Sequence, residues 1–341
     1  MEIIREKKKV YPVSDLLRDY LEQFGRHKHL PLEYDDLLTF SESMPLYDRN
    51  DEPTYWETVI YSSGSIDVIE HGLKLIYTQL LSDGDESMLE HLRVDRVDFC
   101  AFANTRPFRI RIRNRFNDNY DHFYIKRADA SRVYGLELEG LLSPSRVNFL
   151  VDRDTLIEEH IIGIPGDAFI QVNMQQELVN PVRLAKEFVK FGDRCFARLL
   201  GDMRSYNYVI SVTPDVEEEQ YRVKAIDFDQ QSYEGSMKVY LPEFFVDNDQ
   251  IVKLIMKVLN PKAVKQYQKE ERSLMGRRFH YSEKQIRHLL NNMKKETLST
   301  QEHISQLKQE LADFHKIPSF LKCKNMGELI LKNIETLIGK E

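Results

Sequence analysis

Apolar residues in the N-terminal part of the chain recur at helical spacing. This period predicts a helix over residues 13–24 and a second amphipathic helix over residues 66–81. Between them, residues 45–56 are polar and rich in turn-forming residues, which predicts an ordered loop that carries Trp56, the only tryptophan. The pattern therefore predicts a helical N-terminal region over residues 1–92.

The period of the apolar residues changes to two near residue 94, as is typical of strands. The predicted strands share this alternation or a short apolar run, and they cover residues 94–103, 108–113, 123–127, 147–151 and 155–162. The first three follow one another closely and are expected to pair as an antiparallel meander. A helix is predicted over residues 130–142, so residues 93–162 should form a small antiparallel sheet with one helix.

The remaining residues, 163–341, are expected to be mainly helical. A Gly-Ile-Pro-Gly sequence at 163–166 predicts a tight turn. An apolar stripe over residues 181–200 predicts a long helix. A polar hairpin is expected over residues 213–220, and helical periodicity returns beyond Tyr240.

Composition limits the classes of function. Lys and Arg number 48 and Asp and Glu 55, and a net charge of −7 argues against a dedicated nucleic-acid-binding protein. Cys100, Cys195 and Cys323 lie far apart without metal-ligand spacing, as expected in a reducing cytoplasm. The charged first nine residues predict no signal peptide, and no apolar run approaches the roughly 20 residues of a membrane span. We therefore expect a soluble cytoplasmic protein without nucleic-acid or membrane partners.

Two short strand-like segments of the C-terminal half contain side chains with carboxylate or amide oxygens. Residues 201–210 contain Asp202 and Asn207, and residues 225–229 contain Asp227. Mg²⁺ binds such oxygens, keeps several waters and takes its other ligands from substrate phosphates. A further carboxylate can accept the proton of an attacking hydroxyl. These residues are candidates for magnesium-dependent phosphoryl transfer, provided that the two segments meet in space.

Arginine occupies every second position of one predicted strand, at Arg109, Arg111, Arg113 and Arg115. The two-residue period places these side chains on one face. Such a charged face is typical of an edge strand that avoids aggregation, which is the favoured interpretation. Alternatively, the guanidinium groups could hold nucleotide phosphates or an anionic substrate.

The order of these elements, together with the two acidic segments, resembles the protein-kinase-like superfamily over about residues 94–260. Asp202 and Asn207 are five residues apart, as in the catalytic loop of that superfamily, and Asp227 with Phe228 matches its metal-binding motif. The resemblance implies an α+β, bilobal fold. Its small antiparallel-sheet lobe would comprise residues 93–162 and its larger helical lobe residues 163–341, with helical extensions at both ends of the chain.

The resemblance also implies roles in nucleotide binding. Lys126 occupies the position of the lysine that pairs with the nucleotide phosphates. Glu137 or Glu139, on the following helix, would hold that lysine, and Glu137 is preferred because it shares a helix face with Val133 and Leu141. The hinge that binds adenine through its backbone would lie near residues 158–161, including Glu159 and Ile161.

For the reaction itself, the resemblance makes Asp202 the residue that orients or deprotonates the acceptor hydroxyl. Asn207 and Asp227 would hold Mg²⁺, and ATP would supply the γ-phosphate. Asp229 could be a further metal ligand or a cap for the next turn, and the cap is preferred. The acceptor is not identified by any motif, and a protein partner is possible.

Several residues depart from the pattern of typical protein kinases. Residues 104–107 replace the glycine-rich loop, Gly201 precedes Asp202 in place of arginine, and Asp229 replaces the usual glycine. These departures favour an atypical or small-molecule kinase. They leave two alternatives, a non-catalytic kinase-like interaction module and an enzyme that transfers AMP.

Overall fold

The structure is a computed structural model that describes residues 8–48, 50–82, 84–175, 179–214 and 219–339. It is α+β, as predicted, with a seven-stranded and a three-stranded antiparallel sheet. The chain divides into two compact units. The sheet unit comprises Pro12–Asp129 and Val147–His160. The helical unit comprises Ala130–Arg146, the described residues from Ile161 onward and the short segment that ends at Tyr11.

Among its described residues, the sheet unit contains three α-helices and seven strands. The helices are α1 (Asp15–Gln23), α2 (Tyr34–Leu37) and α3 (Ile66–Leu81), and the strands are β1 (Glu42–Tyr47), β2 (Pro53–Ile60), β3 (Leu92–Phe99), β4 (Phe108–Asn114), β5 (Tyr120–Arg127), β6 (Phe149–Asp152) and β7 (Thr155–Glu159). The strand order is β1-β2-β3-β4-β5-β7-β6, with every neighbouring pair antiparallel. The expected meander of β3, β4 and β5 is confirmed, and so are the helices near residues 13–24 and 66–81.

The prediction of a loop over residues 45–56 is wrong, because most of this segment belongs to the hairpin of β1 and β2. β1 is an edge strand whose side chains are nearly all exposed, so it carries no alternation of apolar and polar residues. Backbone pairing alone defines it. An edge strand also tolerates Pro45, which cannot donate a backbone hydrogen bond.

One face of the seven-stranded sheet forms the core of the sheet unit. Ile110 of β4 pairs with Phe123 of β5, and both side chains are fully buried in one apolar cluster with Leu73 and Ile76 of α3. The two-residue period of the strands and the helical period of α3 thus bury complementary faces.

The opposite face carries the arginine series, and the edge-strand interpretation of it is wrong because β4 lies in the middle of the sheet. Each arginine on β4 lies within ion-pair distance of an acid on β3. Arg109 Nη2 lies 2.8 Å from Asp98 Oδ2, and Arg113 Nε lies 2.7 Å from Asp95 Oδ2. Arg109 also stacks on Trp56 of β2, 4.4 Å from the ring centroid. Cross-strand ion pairs and stacking therefore stabilise a charged stripe in the centre of the sheet.

The helical unit contains eight α-helices and three strands among its described residues. The helices are α4 (Ala130–Leu142), α5 (Gly166–Gln171), α6 (Pro181–Arg198), α7 (Asp249–Val258), α8 (Pro261–Tyr281), α9 (Glu283–Met293), α10 (Gln301–His315) and α11 (Met326–Leu337). The strands are β8 (Ile164–Pro165), β9 (Tyr208–Pro214) and β10 (Glu219–Ala225), in the order β10-β9-β8. The helices predicted over residues 130–142 and 181–200 are confirmed. The tip of the predicted hairpin, residues 215–218, lies outside the described residues.

Three further expectations concern composition. None of the helices in the described part of the chain is long and apolar enough to cross a membrane. Cys100, Cys195 and Cys323 are all buried free thiols. The first seven residues, on which the expectation about a signal peptide depends, lie outside the described ranges.

Helix α6 leads into the segment that contains Asp202. Its N-terminus is capped by Asn180, whose side-chain oxygen accepts hydrogen bonds from Val182 N and Arg183 N at 3.1 Å each. The helix ends at Leu199, which adopts a left-handed conformation with φ 52°. Because its apolar stripe is buried, α6 holds the following residues in a defined position.

Gly166, in the sequence that predicted a tight turn, begins α5 and lies against the backbone that follows Asp202. A Cβ at this position would lie 2.4 Å from the Ser205 carbonyl oxygen and 2.2 Å from Tyr208 Cε2. Gly192, inside α6, differs because the nearest atom to a Cβ there would be 3.6 Å away. Glycine is therefore required for close approach at 166 and is replaceable at 192.

We expect Gly166→Ala to lower the free energy of unfolding by about 2 kcal/mol, because the new methyl group must displace backbone. Gly192→Ala is the matched control, expected to raise it by about 0.5–1 kcal/mol through helix propensity. Denaturant unfolding of both variants measures the difference. Equal stabilities would contradict the close contact between α5 and residue 205.

Candidate functional site

The hairpin of β9 and β10 brings the two acidic segments side by side. Tyr208, the first residue of β9, pairs with Ala225, the last residue of β10. Asn207 directly precedes this pair and Asp227 follows it closely. The Ile226 N–H donates to the Asn207 carbonyl oxygen at 3.0 Å, which extends the pairing beyond the strands. Asn207 and Asp227 therefore lie at the same end of the hairpin.

Asp202 is held in an unusual backbone conformation beside Asn207. Its φ is 59°, in the left-handed region that costs roughly 1–2 kcal/mol for a residue with a Cβ. Its N–H donates to Val239 O at 3.1 Å, and its carbonyl oxygen accepts from Arg204 N at 2.8 Å. The Asn207 amide also donates to that carbonyl, at 2.7 Å, so the loop conformation fixes both side chains.

Gly201 departs from the kinase pattern for a reason of packing. A Cβ there would lie 2.8 Å from Val239 Cγ1 and 3.1 Å from the Gln230 carbonyl oxygen. The Gly201 N–H donates to that same Gln230 carbonyl at 3.2 Å. The chain on either side of the site therefore approaches too closely for a larger residue before Asp202.

The pKa of Asp202 is raised to about 6, chiefly because burial penalises the charged carboxylate. Arg204 opposes this effect through a hydrogen bond of 2.9 Å from Nε to Asp202 Oδ1 and through its charge. The charges of Asp227 and Asp247 raise the pKa further. A carboxylate with a pKa close to neutral suits a general base, because it is largely ionised at pH 7 and still binds a proton well.

Arg132 of α4 holds the second acidic segment. Its Nη1 lies 2.8 Å from Asp227 Oδ1 and 2.7 Å from Asp229 Oδ1, and its Nη2 lies 3.3 Å from the Ile226 carbonyl oxygen. Only 1% of the arginine side chain is exposed. The Asp229 N–H also donates to Asp227 Oδ1 at 3.0 Å, whereas the Asp229 carboxylate, expected to cap the next turn, accepts from Arg132. One buried cation thus fixes two neighbouring carboxylates.

Sequence reasoning missed Arg132, although α4 contains a signal for it. Nearly every residue of this helix is buried on all faces. A charged residue in such a helix must have a partner, because burial of an unpaired charge is costly. Glu139 on the same helix follows this rule and pairs with Arg198, while Glu137 Oε2 accepts from Gln285 Nε2 at 3.5 Å.

Asn248 is a further residue that the sequence patterns did not indicate. Its side chain is fully buried and donates to the carbonyl oxygens of Met203 at 2.9 Å and Pro242 at 2.8 Å. Its amide oxygen accepts from the Tyr208 hydroxyl at 2.9 Å. Asn248 therefore joins the Asp202 loop to the start of β9.

The predicted nucleotide lysine lies in the sheet unit with an unexpected partner. Lys126 on β5 is 8% exposed, and its Nζ lies 2.8 Å from Glu158 Oε2 on the neighbouring β7. This partner is neither Glu137 nor Glu139, whose pairing with Lys126 stays a prediction because both residues belong to the other compact unit. The pairing of Lys126 with Glu158 follows from the sheet register, since β7 pairs directly with β5. The local pattern around residue 126 does not reveal this neighbouring strand.

The predicted hinge residues lie where the chain leaves the sheet unit. Glu159 ends β7, and its carboxylate accepts from the backbone and side chain of Asn148 at 2.8 and 3.0 Å. The chain passes from the sheet unit to the helical unit between His160 and Ile161. The Ile161 backbone N–H and carbonyl make no hydrogen bond to any residue of the described ranges.

The donor set fits a hard cation only in part. Within the described residues, no group of three or more His, Cys, Asp or Glu side chains is placed to hold a metal ion. Mg²⁺ needs as few as one or two protein carboxylates, since waters and substrate phosphates supply the rest. The amide nitrogen of Asn207 donates to the Asp202 carbonyl oxygen, so the amide oxygen is the atom that Asn207 can offer to a cation.

Comparison with known proteins adds no relative. No protein-family model matches this sequence, and no curated protein matches it at a significant level. The roles of these residues therefore have to be argued from the geometry of the chain itself.

We expect Arg132→Gln to lower the free energy of unfolding by about 3 kcal/mol, because Asp227 and Asp229 lose their buried counter-charge. Arg287→Gln is the matched control. Arg287 also bridges two acids, Glu283 and Glu335, at 3.0 Å each, but 41% of its side chain is exposed. Its loss should cost less than about 1 kcal/mol. Similar losses in denaturant unfolding would refute a structural role for the Arg132 clamp.

Proposed function

We propose that this chain is an ATP- and Mg²⁺-dependent phosphotransferase of atypical kinase-like, bilobal fold. The sheet unit would correspond to the small lobe and the helical unit to the large lobe. The observation that carries the proposal is the grouping of Asp202, Asn207 and Asp227 at one end of the β9–β10 hairpin. Their identities and spacing match what phosphoryl transfer requires of a general base and a magnesium site.

In this proposal, Asp202 accepts the proton of the acceptor hydroxyl. Its carboxylate is oriented by Arg204 and lies in a loop fixed by Asn207. A bound Mg²⁺ would neutralise charge on the phosphates. Asn207 and Asp227 would hold it, and Arg132 would keep the Asp227 carboxylate in place. Catalysis would then depend mainly on positioning and on electrostatic stabilisation.

The nucleotide-binding part of the proposal is supported at the hinge. The backbone of Ile161 makes no hydrogen bond to a described residue and lies where one compact unit gives way to the other. Backbone groups of this kind can pair with an adenine edge. The roles of Lys126, Glu137 and Glu159 stay predictions of the resemblance. In the structure, the partner of Lys126 is Glu158.

A second candidate function is a non-catalytic, kinase-like interaction module. The observation that favours it is the Arg132 clamp, because a buried guanidinium supplies the positive charge that Asp227 and Asp229 need without any metal. The acidic segment can therefore be stable in a protein that binds neither Mg²⁺ nor nucleotide.

We expect Asp227→Asn to reduce Mg²⁺-dependent ADP formation from ATP by about 100-fold or more, because the amide removes a charged ligand. Asparagine keeps an oxygen for Arg132 and the Asp229 N–H, so the variant should fold. Asp313→Asn on α10 is the control, since within the described ranges that carboxylate bonds only Gln309, which is exposed.

Thermal shift with ATP, with and without Mg²⁺, separates the two candidates. Mg²⁺-dependent stabilisation of the wild type that Asp227→Asn abolishes supports the enzyme. Wild-type turnover in the variant would overturn the assignment, and the absence of any shift at millimolar ATP would favour the module.

The activity should also depend on the ionisation of Asp202. Only the carboxylate can accept a proton, so turnover should fall as the pH drops through about 6. Arg204 lowers the pKa of Asp202, so Arg204→Gln should move this acid limb to higher pH. The control is Arg277→Gln, which removes an exposed arginine from α8. An unchanged limb in Arg204→Gln would mean that another group titrates.

A further inference from the structure

A cavity of the helical unit, separate from the site around Asp202, is lined mainly by basic side chains. It has a volume of about 470 Å³ and lies among α6, α8 and β10. Its basic lining residues are Arg183, Lys186, Lys190, Arg194, Arg222 and Arg278. Two acids, Glu187 and Glu271, also line it, and none of the residues assigned to the site around Asp202 does. We call it the basic cavity.

The acids of the basic cavity do not balance its cations. Glu187 is engaged by Arg194, at 3.0 Å from Nη2 to Oε1. Glu271 lies between Arg194 and Arg278. Glu270, outside the lining, pairs with Lys190 at 3.1 Å. Among the described residues, six basic and two acidic side chains line the cavity, so its lining has an excess of basic groups in a chain whose net charge is −7.

The pKa of Arg278 reflects the positive charges that surround it. Its pKa is lowered, first by burial and then by the charges of Arg194 and Arg222, although Glu271 acts in the opposite direction. A recessed surface with one excess sign concentrates counter-ions. An anion in the basic cavity would relieve the repulsion among these guanidinium groups, and arginine forks match phosphate oxygens closely.

The buried carboxylate of Glu271 adds a requirement for a hydrogen-bond donor in the cavity. The residue is 3% exposed and lines the cavity, yet its Oε1 has no hydrogen-bond partner among the described residues. The nearest guanidinium nitrogens, of Arg194 and Arg278, are 3.5 and 3.6 Å away, beyond good hydrogen-bond distance. A buried acceptor without a hydrogen bond is unfavourable, even beside positive charges. A ligand that fits this cavity should therefore supply a hydrogen-bond donor as well as negative charge.

We propose that the basic cavity binds a small phosphomonoester that carries hydroxyl groups. Its phosphate is held by Arg222 and Arg278 with the neighbouring lysines, and a hydroxyl donates to Glu271 Oε1. The cavity volume lies within the range of small-molecule sites, about 300–1,000 Å³. The proposal does not rest on the phosphotransferase function, because the two sites share no assigned residue.

Calorimetric titration of the full chain tests the proposal with ribose 5-phosphate and glycerol 3-phosphate as probes. Methyl phosphate, which lacks hydroxyls, and ribose, which lacks phosphate, are the comparison ligands at constant ionic strength. We expect saturable binding of at least one probe, about tenfold tighter than methyl phosphate, because a hydrogen bond to a charged group contributes about 1.5 kcal/mol or more. Ribose should not bind.

Arg222→Gln should weaken binding of the probes about tenfold or more by removing a bidentate phosphate donor. Arg222 is exposed, so the variant should fold. Arg277→Gln, which removes the same charge from α8 outside the cavity, should leave binding unchanged, and so should Asp227→Asn. The proposal is overturned if neither probe binds at millimolar concentration, if methyl phosphate binds equally well, or if Arg222→Gln and Arg277→Gln bind alike.

Discussion

The pairing of Tyr208 with Ala225 is the constraint on which the rest of the candidate site depends. It brings together the segments of Asn207 and Asp227, which are twenty residues apart in sequence, and sets Asn207 next to Ile226. Side-chain hydrogen bonds then attach this end of the hairpin to the surrounding helices and loops. Asn248 bonds both the Tyr208 hydroxyl and the loop after Asp202, and Arg132 bonds both acids after β10. A shift of one residue in the hairpin would turn every β9 and β10 side chain to the opposite face and separate these contacts.

Most of the elements that could be predicted from the sequence were identified by the local period of their apolar residues. Helix α3 and strand β4 were located almost to the residue, because each buries a continuous face and so shows a clean helical or two-residue period. Asp202, Asn207 and Asp227 were found for a related reason. They flank short apolar strands, and polar residues at strand ends are conspicuous in sequence. Whether they hold a magnesium ion depends on the placement of their oxygen atoms, which the period of apolar residues does not specify.

The features that escaped prediction depend on partners far away in the sequence. β1 has almost no buried side chain, so only its pairing with β2 reveals it. The alternation of arginines around Arg109 was interpreted as an edge strand. That strand is central, and the partner that balances the charge of Arg109 is Asp98 on β3. Arg132 and Asp227 are 95 residues apart, and Lys126 and Glu158 are 32 apart. Such pairs follow from sheet order and helix packing, which the spacing of residues along the chain does not specify.

The same contacts also explain how neighbouring carboxylates can differ in their chemistry. Asp227 and Asp229 share the buried Arg132, whereas Asp202 has Arg204, whose side chain is 25% exposed and therefore better screened by water. Asp227 adds its own negative charge to the environment of Asp202. One carboxylate is thereby set up to take a proton near neutral pH, while an adjacent one is held beside a permanent cation. Environments that separate neighbouring acids in this way are typical of sites in which one acid transfers protons and the other holds charge.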